Sequence, residues 1–113
     1  MAGKIKVLER DVQRQIVEYL GMLENMGRLT FIRNNRFAGQ ITRANGSKGF
    51  VNNSKPGSPD IYIFLKNGVT IHCEIKGESK QSEAQVAYQH FVEKLGHRYI
   101  IARSVDDVVL AVR

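Results

Sequence analysis

The chain has 113 residues, of which 42% are hydrophobic and 25% charged, as expected for one ordinary globular domain spanning residues 1–113. Its longest apolar run, about five residues, is far too short to span a membrane, so we expect no membrane partner. The start MAGKIKVLER lacks a signal-peptide core. A net charge of +6 favours a polyanionic partner. The single cysteine, Cys73, excludes an intrachain disulfide, so we expect a cytoplasmic protein, whether bacterial or phage-encoded.

The first predicted element is a helix from about Lys6 to Met26, with Gly27 as its stop. Glu9 is seven residues before Ile16, about 700° at about 100° per residue, so it points within ~20° of that residue. It therefore lies on the apolar stripe, where a charge is costly unless it is paired or linked to a metal. The alternative is a frayed first turn or a helix-dipole partner. Gln13 lies about 40° away on the same face. The stripe consists of Val12, Ile16, Leu20 and Leu23.

A strand from about Arg28 to Arg36 precedes a basic segment, residues 38–59, that is rich in Gly, Asn and Ser and contains no acidic residue. A loop that long in a compact domain is usually functional or disordered. Its cations and those just before it suit contacts with backbone phosphates. The DNA-contact candidates are Arg33, Arg36, Arg43, Lys48 and Lys55. The alternative is a flexible, solvated connector.

Two strand-like runs, residues 60–65 and 69–75, flank the turn signal Lys66-Asn67-Gly68. A two-residue turn would set Ile61 opposite Glu74 and mix apolar with charged side chains. A three-residue loop, closed by its glycine in the left-handed conformation, shifts the pairing by one residue and keeps the two faces separate. The predicted pairs are Leu65 with Val69, Ile63 with Ile71, Tyr62 with His72, Ile61 with Cys73 and Asp60 with Glu74.

This register brings Asp60 and Glu74 to within ~5 Å at Cβ, with Lys76 on the same polar face. Two carboxylates hold a hard divalent cation through oxygen, which favours Mg²⁺, with Mn²⁺ as a substitute, over Zn²⁺. Carboxylates so close also repel each other, which favours a bound cation. The lysine adds a positive charge beside an attacked phosphate or its attacking water. An acid followed by Glu-x-Lys also arises by chance, so its meaning depends on this convergence.

The remaining elements are a helix over residues 82–96, a strand from about Arg98 to Ala102 and a short terminal helix that begins at Ser104. The predicted buried face of the first of these helices is Ala84, Tyr88, Phe91 and Leu95. Ser82-x-x-Gln85 is a capping-box pattern, and Gln85 is equally a candidate site accessory. The predicted order is α-β-β-β-α-β-α around a mixed sheet flanked by helices.

Four segments together resemble the VRR-NUC domain of the PD-(D/E)xK nuclease superfamily. They are Glu9-x-x-x-Gln13, the loop from Lys55 to Asp60, the strand Glu74-Ile75-Lys76-Gly77, and Gln85. The similarity runs from about Glu9 to Ser104 and is more specific than the catalytic residues alone. Ser58 departs from it, because the family often has an apolar residue there.

The resemblance implies a restriction-endonuclease-like α/β core and a nuclease site. The implied catalytic residues are Asp60, Glu74, Lys76, Glu9 and Gln85. The implied metal ligands are Asp60, Glu74, the Ile75 carbonyl and Glu9. Gln13 and His72 are candidates for accessory roles. His72 shares the polar face with Glu74, but a lone histidine on a strand is more often a surface pairing residue.

We therefore expect a metal-dependent, structure-selective DNA endonuclease that cleaves branched DNA such as four-way (Holliday) junctions in repair or recombination. Two symmetric cuts need two sites, which favours a homodimer. Its interface could involve Met22 and Met26 or the Val-rich C-terminal segment. The alternatives are a catalytically silent DNA-binding module of the same fold and a flap-type nuclease. A sequence-specific restriction enzyme would need recognition elements for which 113 residues leave little room.

Overall fold

A computed structural model describes residues 7–34, 38–52 and 55–113. Within these ranges the chain is mixed α/β. The elements follow in the order α1 (Glu9–Asn25), β1 (Leu29–Arg33), β2 (Ala38–Thr42), β3 (Lys48–Asn52), β4 (Ile61–Leu65), β5 (Thr70–Ile75), α2 (Glu83–Lys94), β6 (Arg98–Ala102) and α3 (Val105–Ala111). No helix in these ranges is long and apolar enough to cross a membrane.

The main sheet of the described part has four strands in the order β1-β4-β5-β6. The β1–β4 and β4–β5 pairs are antiparallel. The β5–β6 pair is parallel, and helix α2 connects these two strands in the chain. The predicted hairpin register is confirmed, because the structure pairs Ile61 with Cys73, Tyr62 with His72 and Ile63 with Ile71. Gly68 has a φ of +76°, as the predicted three-residue loop requires.

The apolar core lies on one face of this sheet, beneath α1 and α3. Alternation along β4 and β5 sends one set of side chains to this face, where they are fully buried: Ile61, Ile63, Ile71, Cys73 and Ile75. The helices cover them with Val12, Ile16, Leu20 and Val108. Helix α1 ends as predicted, since the Gly27 and Arg28 amides donate to the Glu24 and Leu23 carbonyls over 2.9 and 3.0 Å.

The predicted buried face of α2 is wrong. Phe91 and Leu95 are each 63% exposed, and Ala84 is exposed as well. Gln85 and Val92 are buried instead, which turns the helix by about 90° from the predicted orientation at about 100° per residue. The physical reason is the sheet itself: its apolar face is already covered by α1 and α3, so α2 meets the polar face with its own polar side.

The basic segment is not simply a loop. Residues 38–52 form a two-stranded antiparallel sheet of β2 and β3, called the ribbon below, which the predicted element order lacks. Its turn is held by Asn45, whose Oδ1 accepts the Ser47 amide at 3.0 Å and the Ser47 hydroxyl at 2.7 Å. Asn45-Gly46 between two short strands is a known hairpin signal. The surrounding excess of Gly, Asn and Ser obscured it.

Candidate active site

Asp60 and Glu74 lie at the same end of the β4–β5 pair. Asp60 directly precedes β4, and its amide donates to the Cys73 carbonyl over 3.1 Å. The Oδ2 atom of Asp60 accepts the Ile75 amide at 2.8 Å. Glu74 follows Cys73 on β5 and is only 2% exposed. The sheet therefore brings the two acids to neighbouring positions on adjacent strands.

The loop before Asp60 is fixed by Asn34, a residue that sequence reasoning missed. Its side-chain amide donates to the Ser58 hydroxyl at 2.9 Å and to the Pro59 carbonyl at 3.0 Å. Its backbone amide donates to the Asp60 carbonyl at 2.8 Å. Ser58 is 1% exposed, and its hydrogen bond to Asn34 explains how a polar residue is tolerated there. No local pattern links Asn34 to this loop.

Gly57 brings the same loop against the first turn of α2. Its φ is +79°, and a Cβ at this position would collide with the Ala84 carbonyl. Only glycine combines that backbone conformation with so close an approach. The position of Asp60 is thus coupled to α2.

Lys76 and Glu9 lie near the end of β5 in different ways. Lys76 directly follows β5, and its amide donates to the Ala102 carbonyl at 3.0 Å, so its backbone is held between β5 and β6. The start of α1 abuts the next residue, since a Cβ on Gly77 would lie 2.9 Å from the Val7 carbonyl oxygen and 3.2 Å from the Glu9 nitrogen. The prediction that Glu9 lies within the buried stripe is wrong: it begins the helix and its side chain is exposed.

Within residues 7–34, 38–52 and 55–113 no group of three His, Cys, Asp or Glu side chains is placed to hold a metal ion. Glu9 therefore does not form a three-acid set with Asp60 and Glu74 in this structure. Two neighbouring carboxylates nevertheless fit Mg²⁺, which proteins commonly hold through one or two carboxylates while water and substrate phosphates complete its shell. The Ile75 carbonyl stays a predicted ligand.

The two glutamines have other surroundings. Gln85 forms the predicted capping box: its Oε1 accepts the Ser82 amide at 2.8 Å, and its own amide donates to the Ser82 hydroxyl at 3.2 Å. Its role as a site accessory stays a prediction. Gln13 is half-buried and lines a surface cavity with Arg10 and Arg33.

His72 is buried, at 8% exposure, between β5 and α2. Its Nδ1 lies 2.8 Å from the Tyr88 hydroxyl, and its ring centroid is 5.4 Å from that of Tyr62 and 5.3 Å from that of His97. Burial, together with the nearby His97, lowers the pKa of His72 below 6.5. The imidazole is therefore neutral at pH 7 and joins α2 to the sheet. The surface-residue interpretation is wrong.

The carboxylates of Asp60 and Glu74 make the electrostatic potential around them negative. Burial is the largest cause that raises the pKa of Cys73 to about 12, and the charges of Asp60, Glu74 and Asp107 contribute to that shift. Burial is also the largest cause that raises the pKa of Tyr99 to about 12; the charges of Glu74 and Asp60 contribute, and the hydrogen bond from Gln81 acts in the opposite direction. Cys73 is thus a neutral core thiol without nucleophilic character at pH 7.

The predicted phosphate contacts do not form one compact cluster. Arg33 is exposed at the end of β1, Arg43 and Lys48 are exposed on the ribbon, and Lys55 is exposed ahead of the Asp60 loop. Arg36 lies outside the described residues. These four cations are therefore all accessible to a polyanion.

A second basic group surrounds a cavity of about 370 Å³ at the opposite end of the sheet, beside the β4–β5 turn. Its cationic lining consists of Arg28, Lys66, Arg98 and Arg113. These residues come from separate parts of the chain, so no charge run in the sequence reveals them. The floor is apolar and includes Leu23 and Leu65.

No model of a known protein family matches this chain, and no curated protein matches it either.

Proposed function

We propose that the chain is a VRR-NUC-type, Mg²⁺-dependent endonuclease that hydrolyses phosphodiester bonds in branched DNA, with the four-way junction as leading substrate and a homodimer as active unit. The observation that supports this most directly is the adjacency of Asp60 and Glu74 at the end of a strand that continues into Lys76. The exposed cations Arg43, Lys48 and Lys55 favour a polyanionic substrate.

In this proposal Asp60 and Glu74 supply the oxygen ligands. The Ile75 amide holds the Asp60 carboxylate in place, and the contacts of Asn34 hold the loop behind it. An Mg²⁺ ion held there would supply positive charge beside the phosphate and would make a bound water more acidic. Lys76 orients the nucleophile or stabilises the charge that develops on the phosphate.

A cleavage panel tests the proposal, with Mg²⁺ or Mn²⁺ and duplex, flap, splayed-arm and four-way DNA. We expect Asp60→Ala, Glu74→Gln and Lys76→Ala to lower cleavage by at least about 100-fold, the scale set by losing one transition-state charge partner, while DNA binding persists. Glu9→Gln should be compared with Glu18→Gln, an exposed acid on the same helix. Because the start of α1 abuts Gly77, Glu9 stays a predicted ligand that acts through water, and on that hypothesis only Glu9→Gln should weaken metal-supported cleavage.

Two outcomes contradict the proposal. Cleavage by Asp60→Ala at the wild-type rate would remove the assigned site. DNA binding without cleavage of any substrate in either metal would indicate the silent binding module instead. A preference for flaps, together with a monomeric protein, would keep the chemistry and replace the substrate.

A further inference from the structure

The ribbon presents an unusual face to solvent. Phe50 pairs with Gln40 across the two strands, and Lys48 pairs with Thr42. Directly opposed residues and residues two apart lie on the same face of a sheet, so these four side chains share one face. All four are exposed.

Phe50 is the residue on this face that folding does not explain. It is 68% exposed, although burying a phenylalanine stabilises a fold by about 1.5–3 kcal/mol. The ribbon has its apolar side elsewhere, because Ile41 and Val51 lie on the opposite face and are half-buried. Phe50 is therefore presented on a polar face without a packing role in the described residues.

The charge around Phe50 indicates what covers it. Lys48 shares its face, whereas the Arg43 guanidinium lies against Gly49 on the opposite face of the ribbon. Residues 38–59 contain no acidic side chain. Neither a membrane surface nor an acidic protein would require the polar side chains of Gln40 and Thr42 next to Phe50. An aromatic ring beside a phosphate-binding cation is instead the arrangement that binds unstacked nucleotides.

We propose that Phe50 stacks on an unpaired base at a DNA branch point, while Lys48, on the same face, contacts a flanking phosphate. A paired duplex keeps its bases stacked and offers no free face, so the contact selects branched over linear DNA. Gln40 can donate to and accept from the edge of the captured base. The identity of the ligand as DNA rests on the proposed function, but the contact itself requires no metal and no cleavage.

Fluorescence gives a direct test, because the chain contains no tryptophan. Phe50→Trp is made in the Asp60→Ala background so that the DNA stays intact, and Leu110→Trp on α3, an exposed apolar residue outside the proposed dimer surface, is the matched control. With saturating splayed-arm DNA we expect strong quenching at position 50 and none at position 110. A blunt duplex of the same length, bound to saturation, should quench neither.

Affinity gives the second measurement. We expect Phe50→Ala to weaken binding of splayed-arm DNA by about 5- to 150-fold, which corresponds to the ~1–3 kcal/mol of base stacking on one aromatic ring. Phe50→Tyr should restore that affinity, and neither change should alter duplex binding or the melting temperature.

The outcomes separate this contact from the nuclease assignment. Unchanged fluorescence at position 50, or equal quenching by duplex, overturns the stacking proposal even if the wild-type protein cleaves DNA. Quenching by splayed-arm DNA in a protein that cleaves nothing supports the contact and leaves only the nuclease assignment refuted. If neither DNA binds, both proposals fall.

Discussion

At the residue scale, the neighbourhood of the acid pair depends on a few polar contacts that hold side chains in place. Asp60 uses one oxygen to accept the Ile75 amide, and Asn34 holds the two residues before Asp60. A carboxylate can accept such a hydrogen bond and also coordinate a cation, because each of its oxygens has two lone pairs. The amide contact is therefore compatible with the proposed role of Asp60 as a ligand.

His72 gives a prediction at this scale. Burial lowers the pKa of His72 below its ordinary 6.5, so the unfolded chain binds this proton more readily than the folded one. The stabilising contribution is therefore complete above about pH 6.5 and is lost as the pH falls below it, through the lowered pKa of the folded state. We expect the free energy of unfolding to decrease between pH 7 and pH 5, measured by urea titration.

His72→Asn keeps an acceptor near the Tyr88 hydroxyl and removes the titration. Its unfolding free energy should depend less on pH across this range than that of the wild type. The groups that face His72 are Tyr62, Tyr88 and His97, and His97 is the other imidazole among them. His97→Asn is therefore the control. Parallel pH curves for wild type and His72→Asn would contradict the assignment.

At the element scale, the Asp60 loop and α2 form one unit, because Gly57 touches the backbone of Ala84. We predict that Gly57→Ala destabilises the fold, since it adds a steric collision to the ~1–2 kcal/mol cost of a left-handed non-glycine residue. Gly27→Ala is the matched control: its φ is +72°, but a Cβ there meets nothing within 4 Å.

Urea unfolding of the two variants should show a larger loss for Gly57→Ala, by more than about 1 kcal/mol, the lower end of typical overpacking costs. Its cleavage rate should also fall, because the loop that carries Asp60 must move. Equal losses for the two variants would show that the close approach of the loop to α2 is not real in solution.

At the scale of the whole molecule, the outward face of α2 is the surface we assign to the proposed homodimer. Its apolar stripe consists of the exposed residues Ala84, Ala87, Phe91 and Leu95, and half-buried Tyr88 lies at its inner edge. With Lys55 and Pro56, part of this stripe lines a cavity of about 290 Å³. Small residues lie at its start and large ones at its end, so two antiparallel copies would place the large residues of one against the small residues of the other.

Charge supports the antiparallel arrangement. Glu83 and Lys94 lie at opposite ends of α2 and are eleven residues apart. At about 100° per residue this is about 1100°, or three full turns plus ~20°, so both side chains lie on the same side of the stripe. A two-fold axis across the interface keeps that side in register and brings Glu83 of one copy to Lys94 of the other.

We predict that Phe91→Glu converts a dimer to a monomer, raising the dissociation constant by at least roughly 30-fold, which corresponds to about 2 kcal/mol for a central aromatic. Sedimentation or light scattering measures this without reference to cleavage. Met26→Glu and Leu110→Glu change residues 62% and 60% exposed on the alternative surfaces and should leave the dimer intact. Dissociation by either one instead would move the interface away from α2.

The local pattern of the sequence determined the strand pairing around the acid pair. Alternation along residues 69–75 and the three-residue turn allow only one register in which apolar side chains share a face, and the structure has that register. Helix α1 and its glycine stop follow from spacing in the same way. These features are predictable because each depends on residues close together in the chain.

Only the tertiary structure decided which side of α2 is buried. A helical stripe shows that a helix is amphipathic, but the element beneath it decides which side is covered, and here that element is the polar face of the sheet with His72. The contacts of Asn34 with Ser58 and of Gly57 with Ala84 join distant parts of the chain, so no local pattern announces them. The exposure of Glu9 has the same kind of cause. Helical periodicity predicts the direction in which a side chain points around the helix, but the length of the sheet beneath the helix decides whether that side chain is covered.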